Sequence, residues 1–202
     1  MRKTASLMAV AAVLALGGCG PKAEKTAAAT QNSIENVADA TGMAISNAAQ
    51  GVKEAVTPTP GAQDFTDKAA KSDAFEIASA KLAAGKAATP DLKSFAEMMI
   101  TDHTASTAKI RKAASAAMPA IIADVTLTNG QQGKLADLGK LSGKDFDKAY
   151  ADQQIDAHKD ALSLMQIYAD KGDVPTLKAA AGEIAPKVQA HLDKIRAIRA
   201  TL

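Results

Sequence analysis

From residue 62 to residue 202, apolar side chains recur at spacings of three and four in four long stretches, and none alternates as a half-buried strand would. Gly85, Pro119 and Gly172 separate these stretches, because glycine and proline interrupt helices. A helix with one apolar stripe must bury that stripe against other helices. We therefore predict an all-α domain over 62–202, an antiparallel four-helix bundle with a short connecting helix after Asn129.

Local signals set the predicted helix ends. The first helix is predicted over 64–85, and the second opens at Thr89-Pro90-Asp91, with a capping residue, an N-terminal proline and an acid in the first turn. Ser142-Gly-Lys-Asp145 resembles a capping box and predicts the start of the third. The fourth is predicted from Asp173, with a kink at Pro186, which lacks an amide hydrogen.

Each long helix carries one polar residue on its apolar or small-residue stripe. These are Glu76, His103, His158 and His191, and the chain has only 3 histidines. At about 1.5 Å per residue, each lies very roughly 15 to 25 Å from the start of its helix, near the middle of the bundle. We therefore expect the four side chains to meet in the core.

Three imidazoles and a carboxylate have the donor types that bind zinc, iron, manganese or copper. The four residues are therefore a candidate site for one transition metal ion. Asp102 and Asp156 lie off the apolar stripes and are expected to face solvent, although either could orient a ligating histidine.

A two-iron site is not expected. Di-iron bundles place a glutamate three residues before a histidine, on two helices. Here Ile100, Ile155 and Val188 occupy those positions. The chain also has no nucleophile beside a histidine and an acid at a recognisable spacing, so no catalytic residue is predicted.

Two other interpretations of the polar residues remain open. Buried histidines are often hydrogen-bonded core residues, so the four could form a metal-free network in a structural or stress-related envelope protein. They could also act as a pH switch, since imidazole titrates near neutral pH.

The first residues predict export. Arg2 and Lys3 precede an apolar run that is too short to cross a bilayer, which is typical of a signal peptide over 1–18. Leu16-Gly-Gly-Cys19 resembles the bacterial lipobox, which implies cleavage before Cys19 and acylation of this single cysteine. Because Gly20 rather than aspartate follows, we expect a lipid anchor in the outer membrane, facing the periplasm.

Composition argues against a nucleic-acid partner, and no feature indicates a protein partner. Removing 1–18 takes two of the 24 basic residues and none of the 22 acidic ones, which leaves a neutral chain without a basic patch.

Residues 19–61 are predicted to hold the lipidated cysteine, a tether over 20–30 and a marginal helical stalk over 31–56.

A series of short motifs runs through the predicted bundle: Phe95-Ala-Glu-Met-Met99, Asp102-His103, Leu141-Ser-Gly143, Phe146-Asp147, Tyr150, His158, Pro186 and His191-Leu192. In this order and spacing, the series resembles the domain-of-unknown-function 4142 family of bacterial envelope proteins, over about residues 62–200. The resemblance implies a ferritin-like four-helix fold. It implies no activity, because none is established for the family.

Overall fold

A computed structural model of the chain describes residues 58–202, which form five helices and no strand. The predicted signal peptide, Cys19, the tether and the stalk lie outside the described residues. The helices are α1 (Ala62–Lys86), α2 (Pro90–Ser115), α3 (Asn129–Lys140), α4 (Gly143–Lys171) and α5 (Pro175–Arg199). The prediction of an all-α bundle is confirmed. In this part of the chain, no helix is long and apolar enough to span a membrane.

The four long helices are joined by one long crossover and two short turns. Short turns join α1 to α2 and α4 to α5, and the helices of each pair pack together. In addition, α1 packs on α4, and α2 packs on α5. After α2, the chain passes the start of α1, where Gln63 donates to the Ile122 carbonyl at 2.9 Å. α3 then runs beside α1, since Gln131 donates to the Lys71 carbonyl and Lys86 to that of Gly139.

This path makes α2 and α4 run in the same direction. The connecting helix that the sequence predicts after Asn129 is part of a longer crossover, residues 116–142, which runs the length of the bundle. One long crossover is the connectivity of ferritin-like bundles.

The turn between α1 and α2 is held by a residue distant in sequence. Thr89 occupies the N-cap position of α2, but its side chain makes no capping hydrogen bond. Instead, the buried Asp147 of α4 accepts from the amides of Ala88 and Thr89, at 2.9 and 3.0 Å. These charge-assisted bonds fasten one end of the bundle.

The predicted capping box at Ser142 is wrong. Ser142 precedes α4 without a side-chain cap, and Gly143 has a φ of 58°, so the first helical residue lacks the geometry that the box needs. A capping box occurs at Thr128 and Gln131, where α3 begins. α5 begins at Pro175 and continues through Pro186; the kink there stays a prediction.

A polar layer divides the bundle core. One apolar cluster includes Leu92, Met99, Phe146 and Ile195, and the other includes Phe65, Ile110, Tyr168 and Leu177. Along α2, His103 lies between Met99 of the first cluster and Ile110 of the second. Glu76 and the three histidines are buried and therefore lie in this layer, away from bulk water.

Candidate metal centre

The three histidines converge from α2, α4 and α5. Their ring centroids are 5.5 to 5.7 Å apart, and one nitrogen from each ring lies within 4.8 Å of the others. His103 and His191 are each 4% exposed and His158 is 0% exposed. Hence the core holds a compact group of imidazoles shielded from solvent.

One nitrogen of His103 is held by an aspartate of α1. His103 Nδ1 donates to Asp73 Oδ1 at 2.8 Å, and Thr107 donates to the other oxygen of this carboxylate at 3.0 Å. A carboxylate can only accept, so the proton of the neutral ring lies on Nδ1. The lone pair of His103 is therefore on Nε2.

The other two rings are held in the same way. His158 Nδ1 donates to the Gln154 carbonyl, one turn earlier on α4, at 2.9 Å. His191 Nε2 donates to Asp102 Oδ2 at 2.9 Å, and Asp102 Oδ1 accepts from Lys187 at 3.0 Å. Their lone pairs therefore lie on Nε2 of His158 and Nδ1 of His191.

The nitrogens that carry the lone pairs are buried without partners. Within residues 58–202, His103 Nε2, His158 Nε2 and His191 Nδ1 make no hydrogen bond. Most buried polar atoms in proteins are hydrogen-bonded, and an unpaired one costs about 1 to 3 kcal/mol. Three such atoms in one group are the pattern expected of ligands for a cation.

Glu76 lies beside the histidines but outside this group. It is 1% exposed, and its Oε1 is 3.9 Å from His158 Nδ1. Neither of its oxygens has a hydrogen-bond partner in the described part of the chain. Burial raises the pKa of Glu76 to about 7, and the charge of His103 opposes this rise.

Burial and neighbouring charges give the three histidines different pKa values. Burial, followed by the charge of His103, lowers the pKa of His158 to about 3. Burial also lowers the pKa of His191, more than its bond to Asp102 raises it. For His103 burial acts downward too, but the hydrogen bond to Asp73 and the charge of Glu76 outweigh it, so its pKa is raised. A single positive charge is thus best placed near His103.

Comparison with known proteins places the chain in a family. The model for "Domain of unknown function (DUF4142)" matches residues 46–198. The chain belongs to the DUF4142 family. None of the curated proteins matches its sequence significantly.

Two solved structures resemble the DUF4142 chain. "CopM in the Cu(II)-bound form" has a TM-score of 0.61 and 17% identity, over 71% of this chain and 99% of that one. "CopM in the Cu(I)-bound form" has a TM-score of 0.59 and 17% identity, over 70% and 97%. At this identity, the likeness shows a shared fold alone.

The two predicted orienting residues differ in their contacts. Asp102 contacts His191, as described above. Asp156 does not contact a histidine: it is exposed and pairs with Lys159 at 3.3 Å. Residues two apart on a helix lie on nearly opposite faces, so Asp156 faces solvent where His158 faces the core.

Sequence reasoning missed Asp73. This aspartate is 4% exposed and lies three residues before Glu76 on α1. Residues three apart share a helix face, so an acid at this spacing from a predicted core glutamate was a usable signal.

Proposed function

We propose that this DUF4142 protein binds one transition metal ion in its bundle core, through His103 Nε2, His158 Nε2 and His191 Nδ1. One observation carries the proposal: the three buried rings have one nitrogen each within 4.8 Å of the others, and each ring has a buried nitrogen without a hydrogen-bond partner among the described residues. An ion would satisfy all three at once, and imidazole is a common ligand for copper, zinc and iron.

The acids around the rings support a cation. Asp73 and Asp102 each accept a hydrogen bond from a ring on the side opposite its lone pair. Such carboxylates fix the orientation of ligating histidines and raise their basicity. Glu76 adds a buried carboxylate next to His158. A divalent cation would balance the charge of this carboxylate.

Copper is the first metal to test. Among the candidates of the sequence interpretation, copper and zinc suit nitrogen donors best, while manganese prefers oxygen. The similar folds are described as Cu(II)-bound and Cu(I)-bound. That description belongs to CopM, and it sets only the order in which metals are tried on this protein.

A second candidate function is a metal-free structural role in the envelope. The raised pKa of His103, where burial is outweighed by Asp73 and Glu76, favours it, because a proton on this ring could take the place of the ion. The network would then fix helix register in a stable bundle. It leaves the nitrogens of His158 and His191 unpaired, and for this reason we place it second.

Calorimetric titration separates the two candidates. Residues 20–202, stripped of metal, are titrated with Cu(II), Zn(II), Mn(II) and anaerobic Fe(II) near neutral pH, beside the triple variant His103→Ala, His158→Ala, His191→Ala. We expect the native sequence to bind one equivalent of at least one of these ions, and the variant to bind none. Absence of binding by a chain whose circular dichroism shows folded helices would favour the structural role.

We further propose that the protein is attached to the outer membrane through acylated Cys19 and faces the periplasm. The lipobox-like sequence before Cys19 supports this location. Several acyl chains together give stable anchoring, where one gives only marginal binding. Labelled palmitate should be incorporated into the native chain and not into Cys19→Ser. Equal release of both from washed membranes would contradict the anchor.

A further inference from the structure

A small cavity reaches the histidine group from the side where α2 and α5 meet. It has a volume of about 110 Å³, and His103 and His191 form part of its wall. Glu76 and His158 do not line it. The cavity thus approaches two of the three rings on a face that the glutamate leaves free.

Two ion pairs between the helices lie at this cavity. Lys187 donates to Asp102 at 3.0 Å, and Lys109 pairs with Glu183. Lys109, Glu183 and Lys187 are each about half exposed, so they lie at the outer rim. With two cations and two anions, the rim has no net charge and repels neither cations nor anions.

The cavity suits a small ligand. A water molecule takes about 30 Å³ of liquid, so this space accommodates a few waters or one small anion. Ile184 and Val188 add apolar wall, and the rings of His103 and His191 lie along it.

We propose that a small exogenous ligand, namely water, hydroxide or another small anion, coordinates the bound metal from the cavity between α2 and α5. This inference rests on the proposed function. Three protein ligands leave a position open on a four-coordinate ion, as in metal sites that bind water or substrate. Glu76, the other nearby donor, lies outside the nitrogen group and does not line the cavity.

Azide is the probe for this position, because it is small, anionic and changes the spectra of Cu(II) and Co(II). Residues 20–202 are loaded with one equivalent of either ion and titrated with azide, with absorption as the readout. We expect a saturable new band. A chain that takes up no metal would fail the proposed function, whereas a chain that holds metal with a spectrum unchanged by azide would overturn this inference alone.

Filling the cavity gives a matched test. Ser106→Phe places a ring in the cavity, and Ser163→Phe places the same ring in the groove between α1 and α4, which Ser163 lines. We expect Ser106→Phe to keep one equivalent of metal and to weaken azide binding about tenfold or more, a loss of about 1.4 kcal/mol. Ser163→Phe should leave azide binding unchanged. Equal azide affinity in both metal-loaded variants would contradict the assigned route.

Two further variants keep the test decisive. Ala105 also lines the cavity but is exposed, so Ala105→Phe replaces Ser106→Phe if the latter does not fold. Glu76→Gln tests whether the glutamate occupies the open position. If azide bound only after Glu76→Gln, the position would belong to Glu76 and the inference would be overturned.

Discussion

His103 lies on a helix stripe whose other members are buried apolar or small side chains. Its contacts explain why a histidine is there: one nitrogen donates to Asp73, and the other faces the rings of His158 and His191. An apolar residue at this position would leave the buried carboxylate without that donor. The polar layer is therefore a set of mutually dependent residues, and its acids are open to direct test.

Asp102→Ala should weaken metal binding about 10- to 100-fold, because Asp102 fixes the orientation of His191 through a 2.9 Å bond. Its matched control is Asp156→Ala, since Asp156 is exposed on α4 and contacts Lys159 instead. Competition titrations against a chelator of known affinity would measure both. Equal affinity of the two variants would contradict the role given to Asp102.

Glu76→Gln should stabilise the metal-free protein, and increasingly so as the pH rises. The folded pKa of Glu76, about 7, lies above its ordinary value of 4.5, so the folded state binds the proton more tightly. Its contribution to stability is full below pH 4.5 and is lost as the pH rises through 7. Urea unfolding at pH 5 and pH 8 should show the variant gaining on the order of 2 kcal/mol at the higher pH. A difference independent of pH would contradict the shift.

At the scale of elements, helix periodicity predicted the long helices because each must bury one stripe. Local residues predicted the start of α2 at Pro90. They did not predict the hydrogen bonds that hold the turn before α2. Asp147 is 58 residues from Thr89 in sequence, and only the packing of α4 against α1 brings it there. Capping by distant residues leaves no local signal.

Asp147→Ala should destabilise the fold, on the order of 3 kcal/mol, because the amides of Ala88 and Thr89 lose a charged acceptor. Asp145→Ala is the control, since Asp145 is exposed in the first turn of α4. Asp145→Ala should lower the free energy of unfolding by no more than about 1 kcal/mol. Urea denaturation provides both values, and comparable losses would show that the Asp147 bonds contribute little.

Gly172→Ala should also destabilise the fold. A Cβ at Gly172 would lie 2.5 Å from the Tyr168 carbonyl oxygen and 2.6 Å from its ring, and backbone cannot give way cheaply. Gly139→Ala in α3 meets nothing within 4 Å and should be neutral or stabilising by up to about 1 kcal/mol. The midpoint of thermal unfolding should therefore fall for Gly172→Ala and stay the same or rise for Gly139→Ala. A lower midpoint for Gly139→Ala than for Gly172→Ala would refute this.

At the scale of the whole molecule, the sequence predicted the helix count and the height of the polar residues, because periodicity and rise per residue are local properties. It did not predict the crossover over 116–142, since the direction of α4 depends on α3 packing beside α1. Asp73 was missed because its hydrogen-bond partner, His103, lies 30 residues away in sequence, on α2. The cavity beside the site was not predicted either, because it depends on how α2 and α5 pack against each other.

Metal content per chain tests the central claim most directly. Residues 20–202 would be produced in the periplasm without a tag and assayed for metals beside the triple variant His103→Ala, His158→Ala, His191→Ala. We predict one equivalent of a transition metal in the native chain, or one taken up on exposure to copper, and none in the variant. A native chain that holds no metal and takes up none, or a variant with the same content, would contradict a histidine metal site in this bundle.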